Sequence, residues 1–93
     1  MEEKFIAAWD KARQNAATIG VSMRPVLEAE AMKTAHRCLS GRRLSDGFSQ
    51  LQAKGKLQWS LEALAVDKRF TALFSDDEAN TALTRLLSAG YMF

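Results

Sequence analysis

The chain has 93 residues, of which 47% are hydrophobic, and its formal net charge is +2; this length and composition are typical of one globular domain. The apolar content and the low net charge exclude a chain that is disordered throughout, and the single cysteine, Cys38, excludes an intramolecular disulfide. Because the longest uncharged stretch, 14–23, is too short to span a bilayer and the acidic start is unlike a secretory signal, we expect one cytoplasmic domain over 1–93.

The first predicted element is an amphipathic helix over residues 2–19. Apolar residues recur there at spacings of three and four, which places them on one helical face. Glu2 and Glu3 complement the positive end of the helix dipole, and Gly20 supplies the left-handed conformation that commonly ends a helix. The buried face is predicted to consist of Phe5, Trp9, Ala12, Ala16 and Ile19.

A second helix is predicted over residues 25–39. Pro25 suits its opening turn, and Gly41 is expected to end it in the left-handed conformation. Small residues dominate its apolar face, so a neighbouring helix can approach it closely. That face is predicted to consist of Leu27, Ala31, Thr34, Ala35 and Cys38.

Two short helices are predicted in the centre of the chain. The third helix, over 46–54, begins after Ser45, a residue type that caps helices, and it ends at Gly55. The fourth begins at Leu57 or Ser60, and its sequence is apolar on two faces. Because such a pattern is typical of a helix with neighbours on both sides, we expect this helix to be central.

The last predicted helix begins at Ser75, which is followed three residues later by Glu78, the spacing of a capping box. Gly90 is expected to end this helix. Its apolar face is predicted to consist of Ala79, Ala82, Leu83, Leu86 and Leu87. Because no segment alternates as a strand does, the predicted fold class is all-α, a compact bundle of four or five short helices.

The sequence offers little catalytic or metal-binding chemistry. His36 is the only histidine, and Cys38, two positions further along the same helix, does not share its face. The acids at 76–78 begin a helix and point in different directions, so the helix dipole explains them better than a metal site does. The sequence contains no glycine-rich phosphate loop. We therefore predict a non-enzymatic protein without catalytic, cofactor-binding or metal-binding residues.

Basic residues concentrate in the middle of the chain, where residues 21–69 carry nine bases and five acids. The third and fourth segments, joined through Gly55, have the outline of a helix-turn-helix, whose second helix would enter the major groove led by Lys56, Gln58 and Ser60. Against this interpretation, the fourth segment is too apolar for a groove-reading helix. The candidate contacts for a nucleic acid or an acidic partner are Arg37, Arg42, Arg43, Lys54, Lys56, Lys68 and Arg69.

The chain ends in three apolar residues, Tyr91, Met92 and Phe93. They either fold back over the core or form an exposed tail that docks into a partner or a second copy. By elimination, the favoured function is a small interaction module (an adaptor, inhibitor or regulatory subunit) that binds a protein partner through one helical face. A helix-turn-helix-like protein associated with DNA or RNA is the alternative, and a self-associating homo-oligomer is the third interpretation. A membrane partner is not expected.

Overall fold

Five α-helices make up most of the chain that the computed structural model describes, which is residues 2–23, 28–41 and 44–91. The helices are α1 (Glu2–Ala17), α2 (Ala31–Ser40), α3 (Phe48–Ala53), α4 (Leu61–Ala65) and α5 (Asp76–Ser88). Single 3₁₀ turns lie at Glu28–Glu30, Leu57–Trp59 and Thr71–Leu73. No strand occurs within these ranges, and the predicted all-α bundle of short helices is confirmed. None of the helices described is both long enough and apolar enough to cross a membrane.

The core consists of two connected clusters. In the first, the Phe5 ring of α1 lies edge-on to the rings of Phe70 and Phe74, at centroid distances of 5.4 and 5.3 Å, which is a favourable geometry for aromatic pairs. Buried residues of α1, α2 and α4 pack around these rings. Trp59 and Val66 contact both clusters, so the residues on either side of α4 bridge the core. The second cluster consists of Ala16, Val21, Phe48, Leu51, Leu57 and Leu86.

The first helix buries the predicted face but ends early. Its last residue is Ala17, and Ile19 is half-buried in the turn that follows. Gly20 has a φ of +82°, and the Val21 N–H donates a hydrogen bond to the Ala16 carbonyl over 3.0 Å. This is the expected left-handed ending, and it directs Val21 into the second cluster. The buried residues of α1 are Phe5, Trp9, Ala12 and Ala16.

The second helix differs from its prediction in its start and in its buried face. It begins at Ala31, directly after a 3₁₀ turn, while Pro25 and Leu27 lie outside the described residues. Thr34, which was expected to be inward, is exposed. Residues 31, 35 and 39 are four apart and therefore lie on one side of this short helix. That side faces the core, so Leu39 belongs to the first cluster and Thr34 does not. The buried residues of α2 are Ala31, Ala35 and Leu39.

The predicted left-handed ending at Gly41 is wrong. This residue has a φ of −92° and a ψ of −173°, an extended conformation that any residue adopts. The endings at Gly20, Gly55 and Gly90 are left-handed as predicted, with φ values of +82°, +70° and +83°. The second helix ends differently because Arg85 of α5 binds the carbonyl groups of Cys38 and of the cap residue Gly41.

The third helix is also capped differently from its prediction. Gly47, with a φ of +79°, precedes its first residue, and the Ser45 side chain turns toward α4 instead of capping α3. A Cβ atom at position 47 would lie 2.8 Å from Met23 Cγ and 3.2 Å from Val21 Cγ1. Glycine therefore suits this position through both its backbone conformation and its small size.

The last two helices begin as predicted. Ser60 is fully buried and caps α4 by accepting a hydrogen bond from the Ala63 N–H, and α4 is buried along most of its length, as expected of a central helix. α5 begins with the predicted capping box. The Glu78 N–H donates to Ser75 Oγ over 3.1 Å, and the Ser75 N–H donates to Glu78 Oε1 over 2.8 Å.

The buried face of α5 is the largest departure from the predictions. Ala82 and Leu86 are buried, but Leu83 and Leu87 keep 37% and 58% of their surface exposed. The side of α5 that faces the bundle includes two charged residues with partners on α2 and α4. Because a helix on the surface of a bundle turns only one side inward, these charged residues leave the two leucines outside.

Candidate functional site

A buried ion pair joins α4 to α5. The Glu62 carboxylate is fully buried, and Arg85 Nη1 donates to its Oε2 over 3.2 Å. Ser45 donates twice to the same carboxylate, from its backbone N–H to Oε2 over 3.1 Å and from its hydroxyl to Oε1. A buried carboxylate is costly unless it is paired and hydrogen-bonded. Ser45 and Arg85 together therefore stabilise Glu62 in the core.

The same arginine closes the end of α2. Arg85 Nη2 donates to the carbonyl oxygens of Cys38 over 3.1 Å and Gly41 over 2.9 Å. Carbonyl groups at a helix C-terminus have no partners within the helix, and cations are favourable there, which explains why α2 ends without a left-handed glycine. One guanidinium thus links α2, α4 and α5. Arg85 holds the backbone at Gly41, and the Glu62 carboxylate holds the backbone at Ser45, so the chain is fixed on both sides of residues 42–44.

The only thiol in the chain lies beside this network. Cys38 is half-buried, and Arg85 Nη1 lies 3.9 Å from its sulfur. Burial, followed by the nearby negative charge of Glu62, raises the pKa of the Cys38 thiol. Because the thiolate is the reactive form of cysteine, this environment favours a packing role for Cys38.

A second polar contact joins α2 to α5. His36 Nδ1 lies 2.7 Å from Glu78 Oε2, and the imidazole ring lies 5.3 Å from the Phe74 ring between centroids. Partial burial opposes ionisation of Glu78, but the hydrogen bonds from the Ser75 N–H and then from His36 outweigh it, so the pKa of Glu78 lies below its ordinary value. The Glu78 carboxylate therefore completes the capping box and also holds α2 against α5.

The candidate basic residues lie on separate elements. Arg37 is exposed on α2, Lys54 is exposed after α3, and Lys68 is exposed in the turn after α4. Arg42 and Arg43 lie outside the described residues. The structure therefore distributes the described cations over three parts of the fold instead of placing them on one helix.

Two more of the candidate cations contact aromatic rings. Lys56 Nζ lies 5.6 Å from the centroid of the Trp59 ring. The Arg69 guanidinium lies 4.8 Å from the centroid of the Phe70 ring, and it donates to Asp67 Oδ2 over 3.1 Å. This side-chain hydrogen bond lowers the pKa of Asp67. Lys56 and Arg69 thus each already make a contact within the domain, which leaves them less available to a binding partner.

The helix pair around Gly55 does not present a recognition helix. α4 has five residues, and its cap Ser60 and first residue Leu61 are both buried. A helix that reads DNA bases needs an exposed face to enter the major groove. Lys56 and Gln58 precede α4. Because α4 lies in the core, the described chain has no exposed helix at this place that could bring these two side chains to the bases.

The first residue of the apolar tail packs on the core. Tyr91 is half-buried against the second cluster, and its N–H donates to the Leu86 carbonyl over 2.9 Å. This hydrogen bond accompanies the left-handed Gly90 in the usual ending of a helix. Met92 and Phe93 lie outside the described residues, so the structure places Tyr91 alone.

The exposed side of α5 is a surface that was not predicted from the sequence. Leu83 and Leu87 are exposed there in a row with Asp76 and Asn80. The spacings of four, three and four residues put all four side chains on one side of the helix. We call these four residues the α5 outer face.

Charge spacing is the sequence signal that could have identified this face. Glu78 and Arg85 are seven residues apart, which is about two helical turns, so they share one side of α5. Turning both of them inward moves positions 83 and 87 outward. Glu62 is likewise the one acid in the apolar α4 sequence, a pattern that indicates a buried and paired carboxylate.

A shallow groove runs between the end of α2 and α5. Its larger part, of about 590 Å³, is lined by Gly41, Asp77, Asn80, Thr81, Thr84 and Arg85. The adjoining part, of about 480 Å³, is lined by Leu39, Ser40, Ser75, Asp77, Glu78 and Thr81. Asn80 belongs to both the groove and the α5 outer face. Within the described ranges, no group of three or more histidine, cysteine, aspartate or glutamate side chains is arranged to hold a metal ion.

Comparison with known protein families, with curated proteins and with solved structures returns no match for this chain. A function for the domain is therefore inferred from its own surfaces.

Proposed function

We propose that this domain is a non-enzymatic interaction module that binds a protein partner through the α5 outer face. The observation that carries the proposal is the exposure of Leu83 and Leu87, one turn apart on a helix that the core holds in place. Residues with this spacing are the anchors by which helices bind apolar grooves or other helices. Grouped apolar side chains on a surface are typical of interaction sites. Adaptors, inhibitors and regulatory subunits use surfaces of this kind.

The fixed position of α5 supports the proposal. The capping box fixes the start of the helix, Arg85 ties its inner side to α2 and α4, and the Tyr91 N–H closes its end. A surface that is ordered before binding loses less conformational entropy when the partner docks. The α5 outer face is therefore preorganised.

The interior polar groups favour a structural role over a catalytic one. Glu62 is bound by Ser45 and Arg85, and Glu78 caps α5 while it contacts His36. Catalytic acids, bases and nucleophiles must reach a substrate. In the proposed module, these groups satisfy one another across helix contacts.

Partner capture from a lysate of the cells that produce the protein tests this proposal, with each sample divided into nuclease-treated and untreated halves. Leu83→Gln/Leu87→Gln removes the apolar contacts of the outer face. Leu44→Gln is the control, because Leu44 is a leucine of 45% exposure outside α5. We expect a stoichiometric protein that the wild type and the control retain in both halves and that the double variant loses.

Circular dichroism of each variant verifies that the bundle is folded before capture is compared. Equal retention of the partner by the double variant would contradict the assignment to α5. Loss of all captured protein after nuclease treatment, with nucleic acid present in the untreated half, would instead favour the DNA- or RNA-associated alternative.

A further inference from the structure

We propose that the partner contacts α5 with a basic amphipathic helix, whose apolar residues cover Leu83 and Leu87 and whose lysine or arginine side chains enter the groove at Asp77. This inference rests on the proposed function and adds the chemical class of the partner. It depends on three properties of the surface: its charge, the chemistry of the groove, and the position of the groove beside the leucines.

The charged residues of α5 divide between its two sides. Glu78 and Arg85 point inward and are paired with residues of α2 and α4. Asp76 and Asp77 are exposed at the start of the helix. The exposed charges of α5 are therefore both acidic and lie in its first turn. Because complementary charge steers and orients association, a positively charged segment is the matching partner.

Four side chains of the groove lining carry hydrogen-bond acceptors. Asp77 supplies a carboxylate, Asn80 an amide oxygen, and Thr81 and Thr84 hydroxyl oxygens. Among the lining residues described, the cation is Arg85, and its guanidinium already donates to a carboxylate and to two carbonyl groups. Ammonium and guanidinium groups carry donors only. Asn80 and the two threonines carry donors as well as acceptors, so the Asp77 carboxylate is the group that makes this lining match a cation better than an anion.

The groove and the leucines lie within reach of one partner helix. Asn80 lines the groove, and Leu83 and Leu87 follow it by three and seven residues, which is about 4.5 and 10.5 Å along the helix axis. An amphipathic helix that repeats apolar residues every three or four positions covers the same distance on one face. Basic residues beside that face would meet Asp77 at the groove.

Two synthetic amphipathic peptides with identical leucine stripes test the proposal. One carries lysine and the other glutamate at every remaining charged position, and binding to the full chain is measured by fluorescence anisotropy at low and high salt. We expect the lysine peptide to bind, and to bind more weakly as salt screens the charges. The glutamate peptide should bind much more weakly or not at all.

Matched charge variants test whether the lysine peptide binds at the acidic start of α5. Asp76→Asn/Asp77→Asn should lower the affinity for the lysine peptide roughly threefold to tenfold at low salt. Glu2→Gln/Glu3→Gln also removes two exposed acids from the start of a helix, but from α1, and it should leave the affinity unchanged. Circular dichroism confirms that both variants remain helical.

A further contrast comes from Arg42 and Arg43, which follow the groove residue Gly41 in the chain. Arg42→Gln/Arg43→Gln removes two positive charges, so it should leave the affinity for the lysine peptide unchanged or raise it. A lower affinity in this variant would overturn the proposal, because removal of positive charge cannot weaken the binding of a cationic peptide if complementary charge governs that binding.

Three other outcomes would overturn the proposal. If both peptides bound equally and Leu83→Gln/Leu87→Gln abolished both, the charge assignment would fail while the α5 outer face remained the binding surface. If neither the leucine variant nor the aspartate variant changed binding of the lysine peptide, that peptide would bind elsewhere. Failure of both peptides to bind would also overturn the proposal. The proposed function is tested separately by lysate capture, which does not depend on the partner's charge.

Discussion

The carboxylate of Glu62 and the guanidinium of Arg85 meet 3.2 Å apart inside the domain, although 23 residues separate them in the chain. Ser45 completes the hydrogen bonding of the carboxylate. This contact helps to decide which way α5 faces, because an inward Arg85 leaves Leu83 and Leu87 outward. The ion pair therefore connects the core to the proposed binding surface.

Removal of either charged partner should be strongly destabilising. Arg85→Met or Glu62→Leu leaves the other group buried without its counter-charge, so we expect each to lower the free energy of unfolding by about 3–5 kcal/mol. The double variant should lose less than the sum of the two, with a coupling of about 0.5–3 kcal/mol. Urea denaturation measures these losses. Arg37→Met, an exposed position on α2, is the control, and strictly additive losses would rule out the interaction.

Neighbouring leucines on α5 should differ sharply in their contribution to stability. Leu86 is fully buried, while Leu87 is exposed. Leu86→Ala should lower the free energy of unfolding by about 2–5 kcal/mol, because it removes core contacts and leaves a cavity. Leu87→Ala should change it by less than about 0.5 kcal/mol. Chemical denaturation of the two variants compares them directly, and equal losses would mean that α5 is rotated from the position described.

Stability should fall in acid through Glu78. The pKa of Glu78 in the folded domain is lower than its ordinary value of 4.5. The contribution of the carboxylate is therefore fully present above 4.5 and is lost as the pH falls through the folded pKa. Urea denaturation at a series of pH values should show a shallower acid loss in Glu78→Gln than in the wild type. Asp77→Asn, one residue earlier and exposed, should keep the wild-type slope; identical slopes in all three proteins would refute this role for Glu78.

Two left-handed glycines should respond differently to alanine. Gly20 and Gly47 have φ values of +82° and +79°, so alanine at either position costs about 1–2 kcal/mol for backbone conformation alone. A Cβ atom at position 47 also meets Met23 Cγ at 2.8 Å, whereas nothing lies within 4 Å at position 20. Gly47→Ala should therefore lose about 1–3 kcal/mol more. Thermal unfolding tests the difference, and Met23→Ala should recover part of it in the Gly47→Ala background.

Local chemistry made several features of the fold predictable. Ser75 and Glu78 form the capping box because both members lie within one turn of helix. Gly20 and Gly90 end their helices because glycine adopts the left-handed conformation without a steric penalty. These interactions connect near neighbours, so they depend little on the rest of the fold.

Features with a distant partner were not predictable in the same way. Ser45 has the sequence context of a helix cap, but the Glu62 carboxylate, 17 residues away, accepts its hydrogen bonds instead. Gly41 has the context of a left-handed ending, but Arg85 binds the carbonyl groups at the end of α2. In both places, a charged group brought in by the fold outweighs the local preference.

The sequence by itself determined that the chain is helical and where several of its helices begin or end, because periodicity, caps and glycine endings act over a few residues. Binding through a helical face was an expectation reached by elimination, and the sequence did not identify that face. Only the tertiary structure decided that α5 turns Glu78 and Arg85 inward and leaves Leu83 and Leu87 exposed. The physical reason is that a buried charge requires a partner, and the partners of these two residues lie on other helices.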